Sequence, residues 1–270
     1  FINTNYIEDF TRGDVEKRFP LIYFWLKDYY YQRSENFDRT HWSYSDAPGS
    51  VEDNAELQAQ LRATPPDIVG LSLYMWNADL LLANARWIKE NINPNCIIVA
   101  AGPNADSRDP WMREHTYVDF VVNGPGGETF KRIIDGRLAG DDCRNVAGVS
   151  YWNGLSTIRN APVPRKDDPL VLDYMNNFRD EVVAMLDDYT QRYDKVIVLT
   201  MYIQGCPYSC SFCEQGTSLW TKINKRTLEK MYTEIDLISQ YPGIIYEFAD
   251  ANFGIVPEYE TILDYIIANA

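Results

Sequence analysis

The sequence predicts an α/β protein: a doubly wound parallel sheet, then a shorter second series of strand–helix units. Three observations carry that expectation. Short apolar runs alternate with helical periodicities between Asp67 and Ile134, the rhythm of parallel strands joined by crossover helices. Asn153-Gly154, flanked by strand-like segments and followed by Pro162, Pro164 and Pro169, interrupts that rhythm with a hairpin and an extended connection. The strand–helix rhythm then resumes at Lys195. The expected boundaries are residues 1–144 for the first domain, 145–194 for the hairpin and linker, and 195–270 for the second series.

Taken in order, Phe1 to Asn5 reads as the tail of a strand whose beginning is absent, so the N-terminus is expected to be clipped. Pro20 to Gln32 is a dense run of Ile22, Tyr23, Trp25, Leu26, Tyr29 and Tyr30, spaced as a helix buried on more than one side with Pro20 in its first turn. Phe37 to Tyr44 is expected as a strand, and Val51 to Arg62 as a polar helix with Ala55, Leu57 and Leu61 inward. Asp67 to Tyr74, Cys96 to Ala100 and Tyr117 to Val122 are apolar enough for buried parallel strands. Helices are expected over Ala78 to Asn91 and through Phe130, Ile133 and Ile134. Ligands of such sheets bind beyond the carboxyl ends of the strands. That singles out Ser72 to Asn77, Ala101 to Asn104 and Gly124 to Glu128, whose glycines are equally what short turns require.

Beyond the hairpin, Val171 to Tyr193 is expected to be partly helical, Lys195 to Tyr202 a strand, Arg226 to Gln240 a helix, and Ile244 to Phe248 a strand ending in Ala249 to Gly254. Composition fits a sizeable core, with 270 residues and 46% hydrophobic. No apolar run reaches the ~18 residues of a membrane span and no signal peptide opens the chain, which makes a cytoplasmic setting the default expectation. A net charge of -14 disfavours nucleic acid as the main partner.

Three of the five cysteines fall in Gly205 to Cys213, spaced Cys206-x3-Cys210-x2-Cys213, while Cys96 and Cys143 read as structural. Three thiolates in one loop can hold a 4Fe-4S cluster and leave its fourth iron open to a substrate or cofactor. The alternatives are merely structural thiols or a zinc site short of one ligand, since no histidine or other cysteine follows Lys195.

With Phe212 in the aromatic place, this loop resembles the Cys-x3-Cys-x-aromatic-Cys signature of the radical S-adenosylmethionine (SAM) superfamily. The resemblance implies a 4Fe-4S cluster on Cys206, Cys210 and Cys213, SAM chelating the open iron, Phe212 near the adenine, and reductive cleavage of SAM to a 5'-deoxyadenosyl radical. It also implies that Lys195 begins a (β/α) barrel. At ~30 residues per unit, the 76 residues from Lys195 hold two units, so the chain is expected to be the N-terminal portion of a longer enzyme. The Asp-x-Asn-Phe pattern at Asp250 and Asn252 is similar to a family element that contributes to SAM binding. For Asn252 a helix-capping turn is an equal alternative.

The three earlier loops resemble those of the cobalamin-binding, Rossmann-like domain that precedes the barrel in cobalamin-dependent radical SAM enzymes. By that resemblance Ser72, Trp76, Asn77, Gly102, Gly124, Gly126 and Gly127 border the corrin. The only histidines, His41 and His115, lack the Asp-x-His-x-x-Gly context, which implies a cobalt without a protein imidazole. Ala101 stands where the family has a glycine pair, and a domain that keeps the fold without the cofactor is the alternative. The implied function is cobalamin-dependent methyl transfer to, or remodelling of, an unactivated carbon of a small-molecule or peptide substrate. An electron donor such as a flavodoxin or ferredoxin would serve it, and no catalytic side chain is assigned beyond the cluster ligands. A cobalamin-free radical SAM cyclase or sulfur-inserting enzyme, and a non-catalytic iron-sulfur or zinc protein, are the alternatives.

Overall fold

The structure is a computed structural model that describes residues 6–8, 15–44, 50–124, 126–164, 172–213 and 222–269. The strand tail expected at Phe1 to Asn5 lies outside the described residues. Contacts divide the chain into two compact units, one holding Tyr29–Asp168 and the other Tyr6–Asp28 with Pro169–Ala270. The architecture is α/β with parallel strands in both units, as expected.

In chain order, β1 (Tyr6–Glu8) and β2 (Val15–Arg18) precede α1 (Leu21–Arg33), which starts directly after Pro20. Phe37 to Tyr44 is not a strand. Phe37–Arg39 forms a 3-10 turn, closed by the amide of Thr40 donating to the Phe37 carbonyl at 2.9 Å, and the Trp42 ring packs 5.8 Å from Tyr30 and 6.2 Å from Phe130. Side-chain packing fixes this segment where its β propensity suggested a ladder. A second 3-10 turn, Val51–Asp53, leads into α2 (Ala55–Ala63), whose cap is Asn54, accepting from the Leu57 amide at 2.9 Å. Leu57 is buried and Leu61 partly so, but Ala55 is exposed because the helix begins there.

The first unit continues with β3 (Ile68–Ser72), α3 (Ala78–Asn91), β4 (Ile97–Ala101), α4 (Asp109–Glu114), β5 (Phe120–Val122) and α5 (Gly127–Ala139). β3, β4 and β5 pair in parallel. Leu81, Ala85 and Ile88 of α3 bury one stripe in a core that also holds Val69, Ile98 and Val121, at about 1.5–3 kcal/mol for each large aliphatic side chain removed from water. Helix α4 was not expected from periodicity; its six residues start with Asp109-Pro110, a first-turn pair. β6 (Val149–Trp152) and β7 (Thr157–Arg159) form the expected hairpin, but its loop is the four residues Asn153–Ser156, because Trp152 pairs with Thr157. β6 pairs antiparallel with β5, so the hairpin extends the first sheet to the order β3-β4-β5-β6-β7.

The second unit comprises α6 (Tyr174–Asn177), α7 (Arg179–Arg192), β8 (Lys195–Thr200), β9 (Ile203–Gln204), β10 (Asn224–Lys225), α8 (Leu228–Ile238), β11 (Ile244–Phe248) and α9 (Glu258–Asn269). β8 and β11 are parallel neighbours. On the far side of β8 lies β2, also parallel, giving the order β1-β2-β8-β11 in an open sheet. The sequence reading had assigned β1 and β2 to the first domain; the ladder places them on the second sheet. No described helix is long and apolar enough to cross a membrane.

Candidate functional site

The cysteine loop leaves the carboxyl end of β8. Its two feet, β9 and β10, pair antiparallel, Ile203 with Lys225 and Gln204 with Asn224, and so form a neck. Gly205, at φ +109°, turns the chain out of the neck, a conformation that glycine adopts without penalty. Cys206 follows at 8% exposure, whereas Cys210 and Cys213 are exposed and joined by a turn in which the Cys213 amide donates to the Cys210 carbonyl at 3.2 Å. Phe212 at 92% exposure is the most accessible large apolar side chain. The donor set suits an iron-sulfur cluster in kind, being three free thiols on one loop. The loop does not gather them: among the described residues no three His, Cys, Asp or Glu side chains are placed to hold one metal ion. Loop residues 214–221 lie outside the described ones.

Beneath the neck sits a buried ion pair that the sequence reading did not single out. Arg226 Nη2 lies 2.8 Å from Glu234 Oε2, with the two side chains only 1% and 0% exposed. Arg226 Nη1 also reaches Thr200 Oγ1 and the Met201 carbonyl, each at 3.3 Å, and the Tyr246 hydroxyl donates to Glu234 Oε1 at 3.1 Å. Burial, then the Glu234 charge, pushes the Tyr246 hydroxyl well above its ordinary value. The signal was legible: Glu234 stands three residues after inward-facing Met231, so a charge on the apolar face of α8 needed a partner.

Asp250 and Asn252, expected to meet SAM, follow β11. The Asp250 carboxylate is already engaged, accepting from the Tyr202 amide at 3.0 Å and from the Ile203 amide. Burial raises its pKa against the opposing effect of those amides. The Asn252 Nδ2 is buried and has no hydrogen-bond partner among the described residues.

In the first unit the three loops singled out from the sequence leave the carboxyl ends of β3, β4 and β5 along one edge. Asn77 is an internal clamp at 3% exposure, its Oδ1 accepting from the Tyr74 amide at 2.8 Å and its Nδ2 donating to the Ser72 carbonyl at 3.2 Å. The clamp presents Met75 and Trp76 outward, 82% and 59% exposed, with Trp76 stacked on Tyr74 at 4.8 Å. Gly102 has φ +98°, and a Cβ there would stand 2.5 Å from the Leu73 carbonyl oxygen. The close approach lets the first two loops bond, Leu73 N to Ala101 O at 2.7 Å and Asn104 N to Leu73 O at 3.1 Å. Gly124 has φ +85°, Gly126 faces open space at the start of α5, and Gly127 is buried in its first turn. The two histidines lie elsewhere. His115 follows α4 and stacks on Trp111, and His41 lines a cavity of about 600 Å3 beside Ile68 at the amino end of β3.

No protein-family profile matches the chain. Over 198 residues, 72% of its length, it is 32% identical to the 2-(S-pantetheinyl)-carbapenam-3-carboxylate methyltransferase of Streptantibioticus cattleyicolor. Over another 198-residue alignment, 71% of its length, it is 31% identical to the cobalamin-dependent radical SAM methyltransferase TokK of Streptomyces tokunonensis. The chain belongs to the cobalamin-dependent radical SAM enzyme family. Its aligned part spans 28% of each of these two relatives. The fold agrees: the structure matches that of the cobalamin-dependent SAM radical enzyme OxsB, bound to aqua-cobalamin and SAM, with a TM-score of 0.69 at 17% identity, covering 99% of this chain and 36% of that one. For a radical SAM protein the cysteine loop stands where barrel active sites lie, at a strand's carboxyl end.

Proposed function

We propose that this chain serves a radical SAM enzyme that reductively cleaves SAM on a 4Fe-4S cluster and, with cobalamin, methylates or otherwise remodels an unactivated carbon. The observation that carries the reading is the neck-borne loop with Cys206, Cys210 and Cys213 at the carboxyl end of β8. Support comes from the names of the relatives, two methyltransferases. Cys206, Cys210 and Cys213 would hold the cluster. Phe212 and Asn252 would meet SAM, and Ser72, Trp76, Gly102, Gly124, Gly126 and Gly127 would border cobalamin, with Asn77 shaping the first loop from inside. When bound, these groups supply the electron chemistry and the methyl carrier, while the chain binds, orients and excludes water. The substrate class that fits the relatives is a small molecule, with a peptide as the other arm of the test. The setting is a reducing cytoplasm, and the reductant a flavodoxin- or ferredoxin-class donor.

The test is anaerobic reconstitution with iron and sulfide, then electron paramagnetic resonance of the reduced protein with and without SAM. A 4Fe-4S signal that changes on adding SAM supports the reading, and zinc without sulfide refutes it. Added cobalamin should give a corrin absorption band that survives desalting, weakened in Trp76→Ala. A cluster without any corrin uptake would move the assignment to a cobalamin-free radical SAM enzyme, the direction in which Ala101 points.

A further inference from the structure

We propose that Asp250 is a positioning residue for the cysteine loop, which with the Arg226–Glu234 pair fixes the neck from which Cys206 projects. The proposal rests on the reading above for what the loop holds, but not for its first test. Pairing of β8 with β11 ends where the Ala249 amide donates to the Thr200 carbonyl at 2.8 Å. From there Met201 and Tyr202 must run to β9 without a ladder, and buried amides without partners are costly. The Asp250 carboxylate takes the next two amides, Tyr202 and Ile203. From the other foot, the Arg226 amide donates to the Tyr202 carbonyl at 2.9 Å and its guanidinium reaches the Met201 carbonyl at 3.3 Å. Every backbone bond that sets the direction of Met201–Ile203 therefore comes from β10 and the residues next to it or from Asp250. Cys206 is three residues beyond and largely buried, whereas Cys210 and Cys213 are exposed. A carboxylate accepting two successive amides makes charge-assisted bonds, stronger than neutral ones.

The chain carries its own controls. Cys96 and Cys143 are buried in the other unit, and burial, the largest cause, pushes the Cys96 thiol up to about 12. The reduced whole chain, free of metal, is pulsed with N-ethylmaleimide at pH 8 and each cysteine is followed by peptide mass spectrometry. Asp250→Ala should speed labelling of Cys206 about tenfold or more, the scale of a lost hydrogen bond to a charged group, with Cys96 and Cys143 unchanged. Asp250→Asn, which keeps one carbonyl acceptor, should fall between. An unchanged Cys206 rate overturns the proposal, and so does a rise shared by all three buried thiols. The second arm uses reconstituted protein without SAM. Positioning predicts a lower iron content or an altered reduced-cluster signal in Asp250→Ala. A cluster like the parent's that has lost only its response to SAM would make Asp250 a SAM ligand and refute positioning. Should the parent assemble no cluster, the functional reading fails while the labelling result still decides Asp250.

Discussion

Replacing Glu234 with Gln isolates the energetic weight of the buried pair under the neck. The substitution keeps shape and leaves an oxygen for the Tyr246 hydroxyl, so it opens no cavity, but it removes the only charge paired with Arg226, which is 1% exposed. An exposed pair such as Arg192–Asp188, at 58% and 49%, contributes about 0–1 kcal/mol. Removing one partner of a fully buried pair costs about 3–5 kcal/mol, because the remaining charge stays desolvated. At about 1.4 kcal/mol per factor of ten, amides of α8 that exchange by opening of this unit should lose roughly two to three and a half orders of magnitude of protection. Hydrogen exchange of peptides covering Leu228–Ile238 reads that loss directly. A change under about fivefold would mean that water or a relaxed arginine compensates the charge, and the argument would fail. Arg226→Met combined with Glu234→Leu should recover most of the protection, since a well-packed apolar replacement leaves no charge behind.

Two further outcomes follow from the first unit. Gly102→Ala places a side chain at φ +98° and a Cβ 2.5 Å from a backbone oxygen held at both ends by hydrogen bonds, so the urea midpoint of this unit should fall by an amount equal to about 1–3 kcal/mol or more; an unchanged midpoint refutes the contact. For Asp135, burial favours the protonated form, but hydrogen bonds from Lys131, Tyr30, Asn36 and Ser34 outweigh it and hold the pKa below the ordinary carboxylate range. A lowered folded-state pKa contributes stability that is present above about pH 4 and is lost as pH falls through the folded value. The stability gap between the parent and Asp135→Asn should therefore narrow from pH 7 to pH 3, and a constant gap would refute the linkage.

What the sequence disclosed depended on how local the information was. Ala78–Asn91 was legible to its ends because fourteen residues repeat one apolar stripe, and Ile244–Phe248 because an apolar run is bounded by turn residues. Strand partners were not legible. Nothing in Val15–Arg18 names Lys195–Thr200 as its neighbour across nearly the whole chain, and two-residue strands such as Ile203–Gln204 are defined only by the opposite foot. Phe37 to Tyr44 misled because aromatic and threonine residues suit a strand equally well when they pack on α1 and α5.

The same contrast separates the parts of the candidate site. The ligating residues are contiguous and exposed, so their spacing alone announced them. The residues that decide where the loop begins are Thr200, Arg226, Glu234 and Asp250, scattered over fifty positions and buried to differing degrees. Each carries a polar or charged group that in isolation reads as a liability in the core or as a candidate ligand. The Asp-x-Asn-Phe pattern shows how such a reading divides: two polar residues one position apart at a strand end looked alike in sequence, yet Asp250 turns to the backbone amides of the neck while Asn252 keeps an unpartnered amide donor. Substitutions at the exposed cysteines should therefore act on ligation alone, whereas substitutions at Asp250 or Arg226 should move Cys206 before any cofactor is present.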